Sequence, residues 1–503
     1  DRRLYIQATL NYNRKFNKVH DVNAMLLYNQ EENNSDPVDL FTSLPRRKQG
    51  IAGRLSYAFS HKYLIEANFG YNGSENFPKS KKFGFFPSVA LGYNIAEENF
   101  WKPLKNILPQ FKMRASWGLV GNDQTGAGRF TFLEDLNNAG IAFMTGTGSS
   151  GQSKTLSGPT WIRYANPNLT WEVGEKINVG LDTRIFYDLA FSIDFFKEKR
   201  TDIFMERASI PAMLGTGATK ISANLGEMEN KGIDASLDYN KQFNKNWFIS
   251  FKGTFTYAHN KILKRDEPLN RQYPNVSTIG NPVNTIYGYI SDGLIKDQAM
   301  LDAYDKTHGF ANFPLMPGDI KYKDIADVNG NTDNVINTND RVAMGYPTVP
   351  EIIYGFGPSI KFKNLDFSFF FQGAARTSLM MSGFHPFVGN SNTARRGVLD
   401  FVAENCWTTT NPNEFAKYPR LTSKDNLNNN QNSSYWLRDA SFLKLKNAEI
   451  GYTIKNMRFY ISGSNLLTIS SFKLWDPEMG GGSGMKYPTQ RTINFGFQMT
   501  INN

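Results

Sequence analysis

Cysteine is almost absent from this 503-residue chain: Cys406 stands alone. An internal disulfide is thereby excluded, and so is any CxxC metal or redox motif. Histidine is scarce too, with five residues (His20, His61, His259, His308, His385) scattered along the chain. Neither HExxH nor GxSxG occurs, so no catalytic constellation is in view and the expectation is a non-enzyme. Long apolar runs are missing. No stretch approaches the ~20 consecutive apolar residues of a membrane helix, which excludes helical spanning. Asp1-Arg2-Arg3 leads straight into an alternating strand, with no charged-then-apolar leader, and this reads as a processed or truncated chain. Concentrated charge is lacking as well. The formal charge is +10 and the pI near 9.2, but Lys and Arg are dispersed through turns and loops. Such dispersal excludes a nucleic-acid partner and suits loops beside anionic lipid. Gly146-Thr147-Gly148-Ser149-Ser150-Gly151 matches GxGxxG only formally, because no helix pattern follows it.

What the chain does have is aromatic residues (14%, with 39 Phe and 23 Tyr), 42 Gly, and a period of two. In Leu189-Ala190-Phe191-Ser192-Ile193-Asp194-Phe195, one face is Leu, Phe, Ile, Phe and the other Ala, Ser, Asp. Trp247, Ile249, Phe251 and Phe255 likewise oppose Ser250, Lys252 and Thr254, and Ile493 to Ile501 repeats the pattern. Counting similar runs gives about fifteen strands, many longer than the ~9–11 residues that cross a bilayer.

The connections sort by length. Short turns are expected near 15–18, 60–62, 187–188, 241–244, 363–364 and 455–456. Between them lie long Gly-, Asn- and Pro-rich connections at about 30–45, 72–83, 120–169, 201–225, 261–351, 375–440 and 466–488. One link of middling length, 96–109, interrupts the short series. A soluble sandwich has no reason to sort its loops this way, whereas outer-membrane barrels have short periplasmic turns and long extracellular loops. The expected fold is all-β, a transmembrane antiparallel β-barrel forming one domain over 1–503. The strand count is odd, and single-chain bacterial barrels have even numbers, so at least one strand is expected outside this chain.

Motifs in order along nearly the whole chain resemble those of SusC/RagA-type TonB-dependent outer-membrane transporters. They include Gly53-Arg54-Leu55-Ser56-Tyr57, Gly73-Ser74-Glu75-Asn76-Phe77, Gly84-Phe85-Phe86-Pro87-Ser88 and Arg114-Ala115-Ser116-Trp117-Gly118. Gly121-Asn122-Asp123, Asn166-Pro167-Asn168-Leu169-Thr170-Trp171-Glu172 and Pro317-Gly318-Asp319-Ile320-Lys321-Tyr322 follow. Leu443-Lys444-Leu445-Lys446-Asn447, Ser464-Asn465-Leu466-Leu467 and Trp475-Asp476-Pro477-Glu478 complete the series. The resemblance implies a 22-stranded barrel of which this chain would supply strands 8 to 22. The N-terminal plug and TonB box would lie outside it. It also implies a SusD-like surface lipoprotein as lid, energy from TonB, and import of oligosaccharides or peptides through an outer membrane of the Bacteroidetes kind. Ile501-Asn502-Asn503 departs from the aromatic ending usual in the family, so a final residue is expected beyond it. Rival readings are a siderophore-type TonB-dependent receptor, a passive porin and a surface adhesin.

Two candidate sites stand out. The loop from Asp327 to Asp340 looks like a calcium loop, because alternate Asp and Asn side chains can converge on one hard cation. Its donors would be Asp327, Asn329, Asn331, Asp333, Asn337, Asp340 and the Val335 carbonyl, with a structural role for Ca2+. The match is imperfect: the sixth-position Gly is gone and two residues are inserted, so a plain Asn/Asp-rich turn is the alternative. Loop aromatics Trp161, Tyr164, Trp407, Tyr435 and Trp436 could stack on sugar rings or peptide side chains; the alternative is a girdle role at the membrane interface.

Overall fold

The computed structural model describes residues 2–34, 43–124, 126, 128–145, 154–211, 213, 221–268, 270, 272–382, 398–422 and 425–501. The GxGxxG match at 146–151, His385 and the last two residues lie outside the described residues. Among the described residues, fifteen strands form one antiparallel sheet in chain order. The first six are β1 (Arg2–Phe16), β2 (His20–Asn34), β3 (Arg46–Phe59), β4 (Tyr63–Ser74), β5 (Phe83–Asn94) and β6 (Gln110–Asn122). Then come β7 (Glu172–Ile185), β8 (Leu189–Glu206), β9 (Ser222–Gln242) and β10 (Trp247–Lys264). The last five are β11 (Ile352–Phe362), β12 (Leu365–Ala375), β13 (Phe442–Ile454), β14 (Met457–Ser470) and β15 (Thr492–Met499).

The expected short turns are tight hairpins. Asn17-Lys18, Ser60-His61 and Phe186-Tyr187 are consecutive left-handed pairs, the geometry that matches the twist of antiparallel strands. Some strands outrun the alternation that revealed them. In β8 and β9 the apolar alternation is interrupted by charge, where Lys197–Glu229 (2.8 Å) and Lys199–Glu227 (3.2 Å) ion pairs stand before Ile203 and Met205 resume the apolar pattern. Charged alternation carries no hydrophobic signal, so the sequence understates these ends.

The chain divides into two compact units, one of residues 1–235 with 260–269, the other of 236–259 with 270–503. In the first, register sets Phe69, Phe85, Leu91, Leu55 and Phe195 on one face of the strands and Glu66, Ser56, Arg114 and Asp182 on the other. The apolar side chains are uncovered: Leu91 is 55% and Phe195 52% exposed. In the second unit, Leu365, Phe367, Phe369 and Phe371 line the apolar face of β12, opposite Asp366 and Ser368. Among the described residues, the core of this unit is not between the strands of the large sheet. It lies in the long connections, where Tyr289, Leu294, Ile320, Tyr322, Ile336, Leu379, Met381, Trp407 and Trp436 pack together.

Candidate functional site

On the polar face of the first unit, β6, β7 and β8 bring together Arg114, Asp182 and Asp194. Arg114 donates to Asp182 through Nε (2.7 Å) and Nη2 (3.0 Å), and to Asp194 through Nη1 (3.0 Å) and Nη2 (2.9 Å). The Ser192 hydroxyl adds a bond to Asp182 at 2.8 Å. Lys112, the cross-strand partner of Asp182, adds a second cation, so the two carboxylates are balanced. Gly180 makes room for the cluster, since a Cβ there would stand 2.5 Å from Asp194 Oδ1 and 2.9 Å from Arg114 Cζ. Beside it is a recess of about 450 Å³ lined by Ser56, Glu66, Lys112, Arg114 and Asn178. The second unit repeats the device. Arg458 on β14 holds Asp366 (Nε to Oδ1, 3.1 Å) and Glu449 (2.6 Å), next to a recess of about 480 Å³ lined by Ser250, Lys252, Ser359 and Ser462.

The ordered motifs meet where the strands enter the long connections. Phe77, Leu169 and Trp171 are buried together, with Phe86 edge-on to Trp171 at 5.3 Å. Asp123 accepts from the Ser74 hydroxyl (2.8 Å) and pairs with Lys48 (2.6 Å), while Glu172 accepts from Asn122 (2.8 Å). At the far end of the chain, fully buried Lys444 pairs with Asp476 (2.6 Å) and Glu478, tying the last long connection to β13. Burial alone would raise the Asp476 carboxyl, yet the Lys444 ammonium and Thr489 hydroxyl hold it below the usual range. These motifs fasten loops.

The connections 265–351 and 376–441, separate in sequence, are interlocked. Tyr289 and residues 432–434 exchange backbone bonds at 2.9 Å, and the Leu294 amide donates to Glu414. Asp319, 1% exposed, is the hub. It accepts from Arg420 Nε (2.6 Å) and Nη2 (3.2 Å), Asn426 (2.9 Å), Asn429 (3.0 Å) and the Met316 amide (2.9 Å). Gly318 precedes it in the left-handed region (φ 90°), where a Cβ would meet Trp407 at 2.5 Å, so this turn requires glycine. Nearby, His308 bonds Asn428 and lies 2.8 Å from the Tyr304 hydroxyl; burial pushes its imidazole below the ordinary value. The Asn run at 426–430 reads as plain loop in sequence, and only its burial reveals these side chains as the fasteners of the layer.

The seven expected calcium donors divide into three local motifs. Asp327 Oδ1 accepts from the Asn329 (2.8 Å) and Asn331 (3.0 Å) amides, which holds its carboxyl below the usual range. Asp333 caps the Val335 amide at 2.9 Å, and Asn337 and Asp340 form a reciprocal capping box. Burial, with Asp324 and Asp333 nearby, raises the Asp340 carboxyl. Among the described residues no three His, Cys, Asp or Glu side chains converge as a metal-binding group. Of the aromatic candidates, Trp161 and Tyr164 stack at 5.7 Å with planes 17° apart, beside an isolated hairpin of Asp135–Thr145 with Lys154–Arg163. Trp407 and Trp436 are only 8% and 3% exposed, and their indoles donate to the carbonyls of Lys296 (3.1 Å) and Asn429 (2.7 Å). Tyr435 bonds the Ala416 carbonyl at 2.7 Å. Trp407 and Trp436 are buried in the core of the loop layer, and Tyr435 packs against it.

A sheet whose strands each carry an uncovered apolar row and a charged row, joined by tight turns at one end and folded loops at the other, defines the class: a transmembrane β-barrel wall. Residues 2–466 match the family described as TonB dependent receptor-like, beta-barrel, and the chain belongs to that family of outer-membrane proteins. It is 30% identical over 488 residues to TonB-dependent receptor P26 of Formosa agariphila, covering 89% of this chain and 46% of that one. To TonB-dependent receptor SusC of Bacteroides thetaiotaomicron it is 26% identical over 473 residues, 89% of this chain and 43% of that one. The solved structure of the RagAB peptide transporter matches with a TM-score of 0.73 at 21% identity, over 98% of this chain and 55% of that one. The chain thus spans about half the length of the curated relatives it matches.

Proposed function

We propose that this chain forms the C-terminal barrel wall and outer loop layer of an active importer. Its cargo is oligosaccharide or peptide, it works with a SusD-like lipoprotein lid, and it draws energy through TonB; it is not an enzyme. The observation that carries this reading is the family match combined with the interlocked layer built on Asp319. A passive porin needs a single constricting segment, whereas a layer with its own apolar core offers a stable outer surface for a lid and a ligand. The resemblance of the ordered motifs to the SusC/RagA type is what favours glycan or peptide over siderophore as cargo. Polar faces with paired charges suit a hydrated passage.

The test uses the ligand that copurifies with the native protein, identified by mass spectrometry. Cellular uptake of that ligand stops when a protonophore collapses the energy supply. Continued uptake supports a porin; retained surface binding with no uptake at any energy level supports an adhesin.

Calcium at 327–340 is a separate proposal. Its support is the crowding of Asp324, Asp327, Asp333 and Asp340, which together raise the Tyr273 hydroxyl after burial has done so first. Their oxygens keep lone pairs free beyond the amide bonds. Calcium addition should then raise the melting temperature of the loop layer and chelation reverse it, and identical melting in both leaves the Asn/Asp turn reading standing. Trp161 and Tyr164 are the remaining aromatic pair for ligand stacking, checked by ligand retention in Trp161→Ala.

A further inference from the structure

Every hairpin turn at the short end is tight except one. The link 95–109 runs through two short 3-10 turns, Ile95–Glu97 and Asn99–Leu104, before β6 begins. Its path is held at four points. Glu98 accepts from Lys62 Nζ (2.9 Å), the Tyr63 hydroxyl (2.8 Å) and the Tyr93 hydroxyl (3.4 Å). Trp101 stacks on Phe111 at 5.1 Å and its indole donates to the Leu108 carbonyl at 3.0 Å. The Ile107 carbonyl accepts from the Phe186 amide at 2.8 Å. Lys105 pairs with Glu97 at 3.1 Å.

These anchors tell which side the link occupies. Tyr63 and Tyr93 are cross-strand partners in the row that also holds Ile65 and Leu91. Phe111 lies two residues from Met113, in the row opposite Arg114. All three are on the apolar face, so the link folds over that face and not beneath the charged one. Held there, it presents Phe100 (67% exposed), Leu104 (43%) and Ile107 (45%), next to Phe186 (59%) and Tyr187 (60%) of the neighbouring turn. A fastened segment has no freedom to bury these side chains elsewhere, and exposed apolar groups at this density need an apolar partner.

We infer that the link 95–109 is an interfacial foot lying in the phospholipid headgroup layer at the short-turn end of the barrel. Phe100, Leu104, Ile107 and Phe186 enter the upper acyl region, while Lys102 extends toward lipid phosphates. The occupant is lipid because the link is anchored on the lipid-facing row at Tyr63, Tyr93 and Phe111 and exposes further apolar side chains there, with Lys102 beside them, as in monotopic amphipathic segments. The hydrogen bonds to Glu98 make the foot rigid, so it fixes how deep this end of the wall sits. This reading rests on the family's membrane location and is independent of what is imported.

The test places a nitroxide at Phe100→Cys, Leu104→Cys, Ile107→Cys and, as the polar control, Asn106→Cys, in the intact outer-membrane protein reconstituted in phospholipid nanodiscs. Cys406 is buried at 5% exposure, so the unsubstituted protein supplies the background. Electron paramagnetic resonance then compares collisions with oxygen, which concentrates in lipid, and with a water-soluble nickel complex. The labels at 100, 104 and 107 should show an oxygen-to-nickel ratio several-fold above that at 106. Equal nickel access at all four positions overturns the inference. Protection appearing only after periplasmic protein is added overturns it too, since the occupant would then be protein. All four sites are exposed, so the variants keep the fold, and the bromolipid quenching lost on Trp101→Phe relative to the unsubstituted protein gives a second reading without any added cysteine.

Discussion

Replacing Asp319 by Ala would leave Arg420 without its carboxylate and strand the Asn426 and Asn429 amides in a pocket where Asp319 is 1% exposed. Removing one partner of a buried ion pair costs roughly 3–5 kcal/mol, because the remaining charge keeps its desolvation penalty. Arg420 is 16% exposed and can recover some hydration, which favours the lower end, about 3 kcal/mol. The two amides can turn toward incoming water, so their loss adds little to that figure. At 1.4 kcal/mol per factor of ten, amides that exchange by opening of the loop layer should speed up about 100-fold. Hydrogen exchange read by mass spectrometry resolves this. Peptides covering Ile286–Leu294 and Ile320–Tyr322 should accelerate, while those from β13 and β14 stay protected, because the layer opens as a unit apart from the sheet. Asp319→Asn, which keeps acceptor capacity but loses the charge, should fall between. Unchanged exchange in the layer, or equal acceleration in β13, would refute the hub.

Phe195→Arg, on the same apolar face as Phe191 and farther from the short turn, should cost roughly 2–4 kcal/mol if it sits near the bilayer midplane, and Ser192→Arg, on the polar face beside Asp182 and Asp194, far less. Folding titrations into vesicles measure both, and equal costs would reverse the assignment of faces. The buried His308 has a lowered pKa, so its unfolded state binds the proton first; its contribution is whole above pH ~6.5 and lost as pH falls below that value. Limited proteolysis of the loop layer should therefore quicken as pH falls below about 6.5, and His308→Gln should flatten that dependence. Lys444→Ala leaves Asp476 without its cation and Glu478 with Lys446 alone, and should free the connection 471–491 to proteases while β13 stays intact. A cleavage pattern identical to wild type would show the ion pairs to be dispensable.

The strands were legible because a bilayer imposes one apolar residue in two, as in Phe367, Phe369 and Phe371, and because turn length sorts the two ends. The loop layer was not. Its core draws Tyr289, Ile320, Leu379 and Trp436 from two connections separated by the β11–β12 hairpin, and such packing leaves no periodic trace. Trp407 and Trp436 stand among polar residues in sequence and so resemble surface aromatics, although both are buried. The Asp327–Asp340 loop shows the converse: its Asx spacing is readable, but the same spacing serves backbone capping as well as cation binding. Arg114, Asp182 and Asp194 each follow from strand parity, while their meeting depends on the register of β6, β7 and β8.

The central claim is that this wall belongs to an importer with a protein lid. Purification of the native protein from outer membranes in mild detergent, followed by mass spectrometry of everything retained, tests it most directly. The account predicts a surface-anchored lipoprotein in near-stoichiometric amount. Recovery of the barrel without any such lipoprotein, under conditions that keep other outer-membrane complexes whole, would contradict it.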